Sequence, residues 1–179
     1  MELKENTAGL NEEVAKEIIQ MAEVDQEIRR QAMEEGRVWD ESSDTSNTER
    51  MREIVSQIGW PSQSLVGPDA SSKAWLLVQH ADHDVMFQSD CLRMMKAADQ
   101  GEVRKQEIAY LEDRVRVNRG KPQLYGTQFL KNINGEYLPK PIESPDEVDK
   151  RREEMGLGPL EEYKIGFKNI KIPKKASSA

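Results

Sequence analysis

The sequence predicts a mostly α-helical bundle with one β-hairpin in its C-terminal half. Three observations lead there. Apolar residues recur at three- and four-residue spacing as far as Val117. Glycine and proline clusters punctuate that pattern at Gly59-Trp60-Pro61, Gly67-Pro68 and Gly120-Lys121-Pro122. After Pro122 the spacing changes to short extended runs on either side of Asn134-Gly135, a hairpin-turn dipeptide.

Taken in order, residues 1–10 are expected to be a flexible N-terminus, and Val14, Ile18, Met21, Ile28 and Ala32 mark a first helix from Asn11 to about Glu35. Glu41 to Thr48 reads as a polar loop whose end caps a second helix carrying Met51, Ile54, Val55 and Ile58. Gly67-Pro68-Asp69 opens a third, with Ala70, Ala74, Leu77, Val78 and Ala81 on one face. A fourth runs from about Asp84 to Ala98, and a fifth from about Glu102 to Val117. Gln123 to Leu130 then reads as a strand, Glu136-Tyr137-Leu138 as its partner, with the hairpin near 123–142. Pro139 and Pro141 confine the partner to an edge. Ser144-Pro145-Asp146-Glu147 reads as a capping box opening a helix that ends near Gly156. Residues 11–163 form one helical domain, followed by a basic tail, 164–179.

Composition narrows the class. A single cysteine, Cys91, excludes an intramolecular disulfide, and it sits in a helical pattern as a small hydrophobe. No apolar run has the length of a signal peptide or of a membrane span, so the expected setting is the cytoplasm, away from membranes. The net charge is −7, and residues 1–50 carry fourteen acids against six bases. Such a surface repels phosphate, which argues against nucleic-acid binding.

Several polar residues stand where a plain bundle would put apolar ones. On a helical projection Asp25 falls inside the first apolar stripe, with Arg29 one turn beyond and Gln26 beside it. The pair is either a structural ion pair or one wall of a cavity in which Arg29 offers an anion-binding fork. Gln79-His80-Ala81-Asp82-His83 holds the only histidines. His80 belongs at the edge of a packed face, as a core histidine or as a general acid or base, and His83 faces water. The fifth helix has two inward lines, and the second contains Tyr110, Asp113 and Arg114. Gln123, Tyr125 and Thr127 alternate onto one strand face with Gln128 on the other, which is either a binding surface or a solvated hairpin. A metal site would need His80, an aspartate and a carboxylate from elsewhere, most plausibly Asp113. The spacing fits no metal motif, and no cofactor fingerprint is present.

The combination Asp25-Gln26-x-x-Arg29, Gly59-Trp60-Pro61, Gln79-His80-Ala81-Asp82, Tyr110-Leu111-x-Asp113-Arg114-Val115 and Gly120-Lys121-Pro122-Gln123-x-Tyr125-Gly126-Thr127-Gln128 resembles a family of small bacterial proteins known only as a domain of unknown function. The resemblance spans about residues 11 to 163, closing on Arg151-Arg152 and Gly156-Leu157. It implies no reaction, cofactor or partner.

The residues themselves suggest a small enzyme for a polar or anionic molecule, working without metal or cofactor. His80 would move a proton, Asp113 or Asp25 would orient it, and Arg29 and Arg114 would hold substrate charge. Gln26, Gln79, Gln123, Tyr125, Thr127 and Gln128 would supply further contacts. A hydrolase, lyase or isomerase fits the set. The rival is a non-catalytic binding protein, either a ligand-sequestering domain or an immunity- or antitoxin-like partner of another protein. A concave polar pocket separates the small-molecule readings from a flat protein-binding face.

Overall fold

The computed structural model describes residues 10–36 and 41–168, and among them are eight α-helices and one two-stranded antiparallel hairpin. The flexible N-terminus and most of the basic tail expected from sequence lie outside the described residues.

Helix α1 (Glu12–Glu35) starts where the Asn11 side chain accepts the Val14 N–H at 3.2 Å, and it stops on left-handed Gly36. Its buried line is Ile18, Ala22 and Asp25, while Ile28, expected in the stripe, is exposed. Helix α2 (Ser42–Ile58) begins at the start of the polar run 41–48 and not after it. Asp44 and Thr48 are buried on the same line as Met51 and Val55, and the Thr48 hydroxyl donates to the Asp44 carbonyl at 2.7 Å. Partners in the surrounding fold override poor helix propensity here.

A short helix not evident from sequence, α3 (Gln63–Val66), precedes α4 (Pro68–Gln79), which has proline in its first turn. Helix α4 is central, touching α1, α2, α5 and α6. Its inward residues Ala70, Ala74, Leu77 and Val78 are almost fully buried with Ile18, Met51 and Ile54. Asp84 caps α5 (Val85–Ala97) by accepting the Phe87 N–H at 3.0 Å. Helix α6 (Lys105–Asn118) begins after Glu102, whose carboxylate is spent on the Ser64 N–H and hydroxyl. It does have two buried sides, with Leu111 and Val115 in the main core and Asp113 facing the C-terminal segment.

That segment departs most from expectation. Only β1 (Phe129–Lys131) and β2 (Tyr137–Pro139) are strands, paired Phe129 to Pro139 and Lys131 to Tyr137. Residues 123–128 are a loop wrapped around one carboxylate. Asp113 accepts from the backbone N–H groups of Leu124 (2.6 Å), Tyr125 (3.0 Å) and Thr127 (2.9 Å) and from the Thr127 hydroxyl (3.0 Å). An extended strand points successive N–H groups to opposite sides, so this convergence is incompatible with strand geometry. The Gln123 side chain folds the loop back, donating to the Gln128 and Lys140 carbonyls and accepting the Gln128 N–H at 2.8 Å. Gly126 at its centre has φ 71°, a left-handed conformation strained for any residue with a Cβ, which would also crowd the Leu160 side chain.

Ser144 makes no side-chain cap, so the expected capping box does not form. A 3-10 turn (Pro145–Glu147) leads instead into α7 (Val148–Glu154). Buried Arg152 of α7 donates to the Tyr125 and Gly158 carbonyls, each at 2.6 Å, and Arg151 to the Leu124 carbonyl at 2.8 Å. The loop's N–H groups therefore go to an acid and its carbonyls to two arginines. Helix α8 (Leu160–Lys168), not foreseen as a helix, covers this region with Leu160, and its Tyr163 ring packs edge-on to Tyr110 and Phe129.

Asp113→Ala would strand three backbone donors in a largely dry environment, which at about 1–3 kcal/mol each predicts a loss of roughly 3–5 kcal/mol. Urea unfolding should show that loss, and amide exchange should quicken first at Leu124, Tyr125 and Thr127. Unchanged exchange at those amides would contradict the clamp.

Candidate functional site

Asp25 is completely buried, and three side chains from the surrounding turns converge on its carboxylate. Arg29, one turn along α1, directs Nε at both oxygens, at 3.1 and 3.3 Å. The Gln26 amide donates at 2.9 Å. His80, the first residue after α4, places Nδ1 3.0 Å from Oδ2, close in distance though not aligned as a linear hydrogen bond. Arg29 also donates through Nη2 to Asp44 of α2, so one guanidinium bridges two acids on two helices. Burial acts to raise the Asp25 carboxyl, but His80, Arg29 and Gln26 together outweigh it and hold the group down at about 2.

Above this cluster opens a cavity of about 370 Å³. Helices α1 and α2 contribute Arg29 and Asp44, with Glu41 just ahead of α2. The turn between α4 and α5 contributes His80, Asp82 and His83, and α6 contributes Arg114. Arg114 grips Asp82 with two bonds, Nε at 2.7 Å and Nη2 at 2.5 Å, while Asn118 donates to the same carboxylate at 2.8 Å. Burial opposes ionisation of Asp82, and the Arg114, Asn118 and Gln88 contacts override it, lowering its pKa.

Of the residues singled out from sequence, Asp25, Arg29, His80 and Arg114 come together here. Gln26 touches Asp25 but is itself exposed, and Gln79 contributes a carbonyl that accepts from Gln88 at 3.2 Å. Asp113, Gln123, Tyr125, Thr127 and Gln128 are not in the cavity lining; they belong to the loop clamp. Asp113 and Arg114 do not repeat the pairing of the first helix, because neighbours on a helix diverge by about 100° and reach different partners. Burial raises the Asp113 carboxyl, and the loop N–H groups only partly offset it. Burial likewise pushes the Tyr125 phenol up to about 12.

Sequence reasoning missed Asp44, Asp82, Glu41 and His83 as parts of the site. Asp44 was detectable: Asp44, Thr48, Met51 and Val55 share helical spacing, but the polar run around them reads as a loop. Asp82 lies inside the singled-out Gln79–Asp82 stretch without any periodic signal of its own.

Asp25, Asp44 and His80 each bring one ligand atom within 4.8 Å of the others, a spacing open to a metal ion. Asp44 thus stands where the sequence suggested Asp113. Both carboxylates, however, already accept from Arg29, which brings positive charge to the place a dication would take. The donor set suits an arginine-bridged pair of acids better than a metal centre.

These features define a helical bundle with an acid–histidine–arginine cluster beneath a polar cavity. The chain belongs to a family of unknown function, DUF6624, whose family model matches residues 12–170. No curated protein and no solved structure matches it.

The Asp25 contacts make stability pH-dependent at the acid end. Its folded pKa, about 2, lies below the ordinary 3.8, so its contribution is fully present above about pH 4. It fades as the unfolded chain takes up the proton first and is gone below about pH 2, a span worth about 2 kcal/mol. Unfolding free energies followed across that window should fall more steeply for the native protein than for Asp25→Asn. Parallel curves would contradict the assignment.

Proposed function

We propose that this protein is a metal-independent acid–base enzyme acting on a small polar molecule, with His80 as the proton-transfer group and Asp25 orienting it. The observation that carries this reading is that His80 has Nδ1 against a fully buried carboxylate while its ring lines the cavity. An imidazole with Nδ1 beside the carboxylate has Nε2 left for exchange with a bound molecule, and the ionised carboxylate stabilises the imidazolium as it forms. Hydrolysis, elimination and isomerisation each need such a step. The cavity, at about 370 Å³, has the size of a small-molecule site. A cytoplasmic setting is part of the proposal and is consistent with a buried free thiol at Cys91.

A ligand-sequestering domain is the second reading, favoured by the pairing of both cavity arginines with protein carboxylates, which leaves a preformed polar pocket. Turnover separates the two. On a panel of ester, amide, phosphoester and enolisable model substrates, His80→Asn should reduce turnover by about 10²–10⁴-fold. Its melting temperature should stay close to the native value, and chelator should leave native turnover unchanged. Full turnover in His80→Asn would exclude the acid–base role. A native protein that holds a ligand tightly yet converts nothing would favour sequestration.

A further inference from the structure

An arginine selects an anion only through donors that are free to reach it. In this cavity Arg29 has committed Nε to Asp25 and Nη2 to Asp44, and Arg114 has committed Nε and Nη2 to Asp82. An incoming anion would meet guanidiniums whose charge is already engaged by carboxylates beside it, and those carboxylates would repel it. Charge points the same way. Counting Asp25 beneath the floor, the described residues place four carboxylates against two guanidiniums around this space, in a chain whose net charge is −7.

Three of those carboxylates are paired with a guanidinium, Asp25 and Asp44 sharing Arg29 and Asp82 taking Arg114, so the pairing leaves negative charge over. The fourth, Glu41, is exposed, and among the described residues its side chain has neither a hydrogen bond nor an ion pair. A pocket whose two guanidiniums are each engaged by carboxylates, whose acids outnumber them, and whose remaining carboxylate is open presents the complement of a cation. Resting on the acid–base reading above, we infer that the cavity selects a ligand bearing a cationic nitrogen, a primary amine or a guanidine. Glu41 receives that nitrogen while the reacting part of the ligand lies at His80. This reverses the sequence-based expectation that Arg29 and Arg114 hold substrate charge.

The test uses the full chain and observes the ring signals of His80 and His83 by NMR. The cationic probes are ethanolamine and agmatine, the anionic ones glycolate and inorganic phosphate. A short lysine-containing peptide asks whether the nitrogen can belong to a polypeptide. The amines should shift the ring signals saturably, and the anions should leave them in place at equal concentration. Glu41→Gln should weaken amine binding by about tenfold or more, the worth of one charge-assisted contact, with no change in melting temperature. Binding by the peptide but by neither small amine would make a protein side chain the source of the nitrogen, still received by Glu41. Preference for phosphate or glycolate, amine binding indifferent to Glu41→Gln, or no response to any cationic probe would each overturn the inference.

The two proposals fail separately. If His80→Asn retains turnover while Glu41→Gln loses the amine, charge selection stands and the acid–base role falls. If His80→Asn abolishes turnover while Glu41→Gln changes nothing, the reverse holds.

Discussion

The bridge from Arg29 to Asp25 and Asp44 is the interaction on which the rest of this structure depends. A carboxylate as deeply buried as Asp25 costs several kcal/mol to desolvate unless it is neutralised and its lone pairs are filled. Arg29 supplies the charge, Gln26 donates a further hydrogen bond, and the His80 ring lies 3.0 Å away through Nδ1. Because Asp44 shares the same guanidinium, neutralising α1 from within also fixes where α2 starts. His80 comes off the end of the central helix α4 onto the same carboxylate. Three helices are thus registered by one charge cluster, and the cavity above it inherits that registration.

The second polar cluster solves a different problem. The segment 123–128 has almost no regular structure, so its N–H and C=O groups need partners from elsewhere. Asp113 collects the N–H groups, and Arg151 and Arg152 collect the carbonyls. Helix α6 separates the two clusters. Asp113 faces the C-terminal loop, and Arg114, one step further, faces Asp82 and the cavity. Residues that look like a single constellation in sequence therefore serve two sides of one helix, one holding a loop and the other shaping a pocket.

What was legible in the sequence follows from this. Helices α1, α4, α5 and α6 announce themselves because their inward residues are mostly apolar and periodic. Asp25 was visible as an anomaly against such a background, and so was the doubled face of α6. The hairpin turn was legible from Asn134-Gly135, whose neighbour Asn132 accepts the N–H groups of Asn134 and Glu136 at 2.9 Å. Alternation at Gln123, Tyr125 and Thr127 misled because period two is a property of strands, and three N–H groups drawn to one acceptor abolish it. Helices α3 and α8 are short and carry too few inward residues for a period to show.

The start of α2 shows why the site was harder to read than the fold. From Ser42 to Thr48 the helix has no apolar residue, and in isolation serine, threonine, aspartate and asparagine favour turns and caps over helix interiors. What turns these residues into helix is an inward face made of Asp44 and Thr48, and Asp44 is acceptable there only because Arg29 meets it from another helix. The ion pair that shapes the cavity floor also makes this stretch helical, so the local sequence contains neither fact alone. Site and secondary structure form together, through a contact between residues fifteen positions apart. A hydrophobic pair in that place would bind the helices as firmly, but it would leave buried Asp25, the charged neighbour of His80, without its arginine and the cavity without a polar floor. The stability available from burying apolar area is forgone at this junction, and a fixed arrangement of charge stands in its place.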